Sequence, residues 1–224
     1  MRFIRLAAIT LAAAASVAAA PRADWTTTVN PGDGGSHVLG NPAAKVKLTE
    51  FISYTCSHCA HFQKESELPL RVSYVQPGKV SVEVRHLVRD PVDLAAALAT
   101  NCGDPKNFFR NHHVILQSQE KWLQVMGRAS KGQQARWSSG ALGSRMRAIA
   151  SDFGFYQMME QRGYRRTDLD RCLSDEAMAR KLTAQTQQAL AAGVQGTPSF
   201  MIDGTLLTGT YDWQGLSTQL EARF

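Results

Sequence analysis

The stretch EFISYTCSHCAHF, residues 50–62, sets two cysteines three positions apart, Cys56 and Cys59, between a mostly apolar run and a segment of helical character. Reading outward, VKLTEFISY at 46–54 alternates and then becomes mostly apolar, the pattern of a strand buried on both faces. A helix is predicted from Cys56 to about Leu68, with Pro69 ending or kinking it. KVSVEVRHLV at 79–88 alternates as a second strand, introduced by the Pro77-Gly78 turn. Strand, helix and strand in that order make one right-handed crossover unit, so the cysteine pair falls where a strand hands over to a helix.

Several chemistries use such a pair. Structural zinc wants four thiolate or imidazole ligands, commonly as two close pairs, and here Cys102 and Cys172 stand far apart. A copper site drawing on His58 or His61 is a second reading. A purely structural 56–59 disulfide is a third, although a loop this short constrains the unfolded chain little. The redox reading has a mechanism. At the first turn of a helix, free backbone N–H groups and the positive dipole end stabilise the Cys56 thiolate, making Cys56 the attacking sulfur. Cys59, one turn on, is the more buried resolving partner. His58 between them, if protonated or donating a hydrogen bond, would stabilise that thiolate further and make the disulfide a stronger oxidant. His61 reads as a surface residue.

The remainder of the chain supplies the setting. Residues 1–20, MRFIRLAAITLAAAASVAAA, place Arg2 and Arg5 ahead of an apolar run ending in small residues, a secretory signal with cleavage after Ala19 or Ala20. Removing it lowers the formal charge from +6 to +4, since two arginines and no acid leave. That mild excess, scattered without an aromatic-basic pattern, points away from nucleic acid. Export permits disulfides, and all four cysteines lie beyond residue 20. Residues 21–45 read as a Gly- and Pro-rich lead-in with little structure, order beginning near Val46. Residues 91–192 read as a helical insertion; its last helix carries Met178, Leu182, Thr186 and Leu190 as a core stripe, with Gly193 just past its end. TPSFMIDGTLLTG at 197–209 reads as a hairpin turning at Asp203-Gly204, followed by a helix from about Trp213 to Ala222.

HVLGNPAAKVKLTEFISYTCSHC at 37–59 and GVQGTPSFMIDG at 193–204 resemble the DsbA-type thiol:disulfide oxidoreductases of the bacterial periplasm. The resemblance implies an α/β thioredoxin fold, residues 46–90 and 193–224, with an inserted α-helical domain at 91–192. It implies a periplasmic enzyme that passes the Cys56–Cys59 disulfide to reduced exported polypeptides through a mixed disulfide at Cys56. By position, Glu50 is the buried acid beneath the site, able to exchange protons with Cys59, and Pro198 is the cis-proline facing the disulfide, beside an extended edge that pairs with a client. Thr197 departs from the Val of the strongest oxidases and resembles the Thr of isomerases, so an isomerase or reductase is the alternative. Cys102 and Cys172, left over in an exported chain, are expected to pair as a structural bridge, as in some family members. No cofactor fingerprint is present; reoxidation would fall to a DsbB-like membrane quinone reductase. A lead-in of 21–45 is too short for a separate dimerisation domain, so a monomer is expected. A reading of another class is a non-catalytic copper or zinc carrier, or a client-holding module, on the same fold.

Overall fold

The buried run that precedes the cysteines becomes the middle of a sheet. The computed structural model describes residues 24–224; the expected signal over 1–20, with its cleavage at Ala19 or Ala20, lies outside the described residues. Six strands, β1 (Val29–Pro31), β2 (His37–Leu39), β3 (Val46–Ile52), β4 (Val80–His86), β5 (Ser199–Ile202) and β6 (Thr205–Leu206), are ordered β1-β2-β4-β3-β5-β6. β3 and β4 run parallel from Val46 opposite Val80 to Ile52 opposite His86, and the other pairs are antiparallel. Alternate residues of β3 explain its sequence pattern: Val46, Leu48 and Ile52 join the main core, whereas Phe51 packs on the opposite face with Leu87, Ala189 and Val194.

The lead-in departs from its sequence reading, because the chain is already paired at Val29 rather than first ordering near Val46. β1 and β2 span three residues each, too few for alternation to register. Their stability comes from the partner strand, with His37 opposite Val84 and Leu39 opposite Val82.

The helices are α1 (Ser57–Leu70), α2 (Pro91–Thr100), α3 (Phe108–Gln117), α4 (Gln119–Arg128), α5 (Lys131–Ser138), α6 (Leu142–Asp152), α7 (Phe155–Glu160), α8 (Arg166–Leu173), α9 (Glu176–Ala191) and α10 (Trp213–Glu221). Pro69 neither ends α1 nor breaks it, since the helix continues into a π-helical turn, Arg71–Val75. Burial of Leu70, Tyr74 and Val75 holds the extension against the sheet. In α9 the predicted stripe is corrected: Leu182 is fully buried but Leu190 is 56% exposed, and the inward residues are Ala179, Leu182, Gln185 and Ala189. Strict four-residue spacing drifts about 40° per step from a helix face, so its far end rotates into solvent.

Composition groups α9 with the insertion, yet α9 lies along the sheet. Gln185 Oε1 accepts from the His86 N–H at 2.8 Å, Thr186 Oγ1 from the Val88 N–H at 2.9 Å, and Gln185 Nε2 donates to the Gly34 carbonyl at 3.0 Å. Within the insertion a disulfide joins Cys102, just past α2, to Cys172 in the last turn of α8, with Cα atoms 5.5 Å apart. The hairpin turns at Asp203 and Gly204, both at positive φ (52° and 80°), the arrangement a two-residue connection between twisted strands requires.

Candidate active site

Parallel pairing brings the ends of β3 and β4 to one edge of the sheet, so the segments that follow them meet; the Leu87 N–H donates to the Ile52 carbonyl at 2.7 Å. After β3 comes Ser53–Cys56; after β4 come Val88, Arg89 and the start of α2. Asp90 caps α2, one oxygen accepting from the Val92 and Asp93 N–H groups at 2.8 and 2.9 Å, the other from the Thr55 hydroxyl at 2.7 Å. Asp93 is buried and accepts from the Ser53 hydroxyl (2.6 Å), the Tyr54 N–H (2.7 Å) and the Arg89 N–H (3.0 Å). Its burial nevertheless pushes the carboxyl up to about 7. From the insertion, Gln119 at the first turn of α4 donates to the Tyr54 and Cys56 carbonyls at 2.7 and 2.8 Å. Beneath the loop, the Tyr54 hydroxyl and His112 Nδ1 lie 3.0 Å apart, and His112 Nε2 lies 3.2 Å from Gln63 Oε1.

Held from three sides, the loop ends at Cys56, which has extended backbone (φ −91°, ψ 116°) and is the N-cap of α1. Cys56 and Cys59 are free thiols, 5% and 0% exposed. The Cys56 thiol is pushed down to about 4, above all by the hydrogen bond it receives from the Cys59 thiol. Burial opposes this, while the Thr197 hydroxyl, the Cys59 backbone N–H and the Arg89 charge add to it. Cys59 moves the other way: burial first, then the bond and charge of Cys56, push its thiol well above the ordinary range. The two sulfurs thus have opposed acidities although they sit one turn apart.

Thr197 presents two groups toward the pair, with opposite effects. Its carbonyl accepts from the Cys56 thiol at 3.1 Å, a bond that only the protonated sulfur can donate. Its hydroxyl oxygen is buried with no hydrogen-bond partner in this geometry, and its effect at both sulfurs is to favour the thiolate. A hydroxyl can turn to donate to a sulfur anion, whereas a carbonyl cannot. The Thr197–Pro198 peptide bond is cis, and Pro198 is buried directly before β5.

The remaining sequence candidates fall on either side of this centre. Glu50 is 3% exposed, on the face of β3 that carries Leu48 and Ile52 against α1. Burial, with the charge of Glu67, pushes its carboxyl up to about 8. Its Oε1 has no hydrogen-bond partner, and the side chain borders a cavity of about 30 Å³ shared with Gln63, Glu67 and His112. His58 is exposed on the first turn of α1. His61 is exposed and pairs with Glu65 at 3.2 Å. Among the described residues no three His, Cys, Asp or Glu side chains converge to hold a metal. Arg89, Asp93 and Gln119 escape sequence reading; only Asp90-Pro91 carries a local helix-start signal that would have drawn attention to this corner.

A family model described as thioredoxin matches residues 33–222. The crystal structure of a protein-disulfide isomerase from Novosphingobium aromaticivorans is 53% identical, with a TM-score of 0.81 over 84% of this chain and 97% of that one. Alpha-DsbA1 from Wolbachia pipientis shares the fold at 18% identity, with a TM-score of 0.66 over 83% of this chain and 88% of its own. A relative from Rickettsia felis, named a protein-disulfide oxidoreductase, is 29% identical over 191 residues, 84% of this chain. The chain spans 60% of that relative's length.

Proposed function

The chain belongs to the thioredoxin family, and from that premise we propose that it is a thiol:disulfide oxidoreductase that donates the Cys56–Cys59 disulfide to exported proteins. The observation that carries the reading is the opposed acidity of the two sulfurs, with Cys56 pushed down to about 4 and Cys59 pushed up. A client thiolate attacks Cys56 in the disulfide; the Cys56–Cys59 bond breaks, and Cys59 departs with the electron pair. Cys59 has the higher proton affinity and takes a proton, for which the Glu50 carboxyl, protonated below about 8, is the donor. The client's second thiol then loses its proton and attacks the client sulfur of the mixed disulfide. Cys56 leaves as a stabilised thiolate, so two electrons have passed from client to enzyme.

In this reading Pro198 and Thr197 line the edge along which the client backbone pairs, and Cys102–Cys172 is a structural bridge. The protein works as a monomer in the periplasm after loss of its signal, and a DsbB-like membrane quinone reductase reoxidises it. The test mixes the oxidised protein with a reduced two-thiol client, quenches with acid and alkylates the free thiols. One client disulfide is expected for each Cys56–Cys59 disulfide consumed; a client left reduced while Cys56–Cys59 stays oxidised overturns the reading.

A second reading, disulfide isomerase, draws on Thr197 and on the relative of 53% identity titled protein-disulfide isomerase. Faster rescue of a scrambled client than oxidation of a reduced one would promote it above the first.

A further inference from the structure

Arg89 follows β4 and precedes α2, a position that local pattern marks as neither motif nor core. Its Nε donates to the Ser53 hydroxyl at 2.9 Å and its Nη2 to the Thr55 hydroxyl at 3.3 Å. Those hydroxyls in turn donate to Asp93 and Asp90 at 2.6 and 2.7 Å. The guanidinium is therefore separated from both carboxylates by a layer of hydroxyl groups instead of pairing with them. Among the described residues it has no carboxylate partner within 4.0 Å. Two of its five N–H groups are engaged by protein acceptors, and the side chain is exposed.

We propose that Arg89 is a positioning residue for the exchange reaction: it ties Ser53 to Thr55, fixing the chain that delivers Cys56, and sets an unneutralised positive charge beside the attacking sulfur. The groups that act on that sulfur are Cys59 from α1, Thr197 from the segment before β5, and Arg89 from the end of β4; Asp93 and Asp90 at the start of α2 lie behind the Ser53 and Thr55 hydroxyls, and His58 on α1 is exposed. Of these, Arg89 is the one fixed cation, and its field favours the thiolate. By stabilising the anion that departs when a client is released, Arg89 makes the disulfide more oxidising. The planar fork matters as well as the charge, because it reaches two hydroxyls at once.

The test titrates the Cys56 thiolate by ultraviolet absorbance in the full protein and its Arg89→Met and Arg89→Lys variants, and equilibrates each with glutathione. Arg89→Met is expected to raise the midpoint by roughly a quarter to half a unit and to favour the disulfide by roughly two- to threefold. Arg89→Lys should recover part of both shifts. A midpoint unchanged in Arg89→Met, or a Lys variant no better than Met, overturns the proposal; lowered melting temperature without either shift would leave Arg89 a mere structural tie. If Arg89→Met does not fold, Thr55→Val, which removes one seat of the fork, should raise the midpoint by less, and no rise overturns the proposal equally. The inference rests on Cys56 being the attacking sulfur. That premise fails separately if alkylation of the wild-type protein at mildly acidic pH labels Cys59 before Cys56.

Discussion

The molecule holds two cysteine pairs at opposite ends of its helices. Cys56 caps the N-terminus of α1, with Cys59 in its first turn. Cys102 lies just past the C-terminus of α2 and Cys172 in the last turn of α8. At a helix start the dipole and the free N–H groups hold a thiolate; at a helix end the free carbonyls repel one. Cys102 Sγ also sits 3.7 Å from the Asp168 carbonyl, an acceptor that serves only a protonated thiol. A disulfide exchanges readily when one of its sulfurs is a good leaving group. The same bond is thus mobile in the first setting and inert in the second, and placement along helices makes the difference.

The strongest way to break that comparison is to remove one pair at a time. Cys56→Ser should abolish client oxidation, a loss on the order of a thousandfold or more, because no other sulfur is poised as an anion. Cys59→Ser cannot form the active disulfide and should fail to oxidise a reduced client; given a client disulfide, its Cys56 thiolate attacks that bond, one client sulfur leaves as thiolate, and a client-linked mixed disulfide should accumulate at Cys56, visible on a non-reducing gel. By contrast, the double variant Cys102→Ser, Cys172→Ser should still oxidise clients at low temperature. Comparable loss of activity in that variant would mean that the second pair takes part in exchange.

What the distant pair contributes is stability. Its sequence separation of 70 gives about 4 kcal/mol in the chain-entropy account, or roughly 10 °C in melting temperature. Thermal unfolding of the double variant measures this directly, and a drop of a degree or two would show that the unfolded chain gains little freedom from losing the bridge.

A pH series separates the pairs again. The folded Cys56 value is depressed from an ordinary 9.0 to about 4, so its stabilisation of the reduced fold is complete above about 9 and is lost as pH falls through about 4. Cys59, with its value raised, destabilises only above its ordinary value. The melting temperature of the reduced protein minus that of the oxidised protein should therefore increase from pH 4 to pH 8, on the order of 10 °C. Buried His37, His86 and His112, pushed down to about 4, 3 and 4 by burial, lose their contribution as pH falls below 6.5. That loss is shared by both redox forms and cancels in the difference. Removing Cys102 and Cys172 should leave the slope intact.

These contrasts also show what a linear sequence can express. Cys56 and Cys59 are legible from their spacing at a strand-to-helix junction, Glu50, Thr197 and Pro198 are candidates only through the resemblance of the two segments that hold them, and the fold is legible because β3, α1, β4 and the final hairpin have clear periodicities. Arg89 and Asp93 reach the site only because β4 lies parallel to β3 in one register, and Gln119 only because α4 packs back onto the loop. Such residues obey no local rule. β1 and β2 were hidden for a related reason: a three-residue strand is stabilised by its neighbour, and for β2 the neighbour is 47 positions away at His37 and Val84. Pro69 shows the reverse case, a strong local signal overruled by burial of the turn that follows it.

The smallest effect sharpens the comparison at its centre, by asking which neighbours make the mobile pair mobile. The tetrapeptide suggests His58, whereas the structure sets the Thr197 hydroxyl among the groups that lower the Cys56 thiol and leaves His58 exposed. Thr197→Val keeps the carbonyl and removes the hydroxyl, so only the group that favours the thiolate is lost, and the Cys56 midpoint should rise by roughly half a unit. His58→Ala should move it by less, because a side chain in water is screened and has no fixed geometry toward the sulfur. Both midpoints come from thiolate absorbance at one ionic strength. A larger shift for His58→Ala than for Thr197→Val would return the control of acidity to the residue between the cysteines, and the contrast with the distant pair would then rest on the motif instead of on the residues that the fold gathers around it.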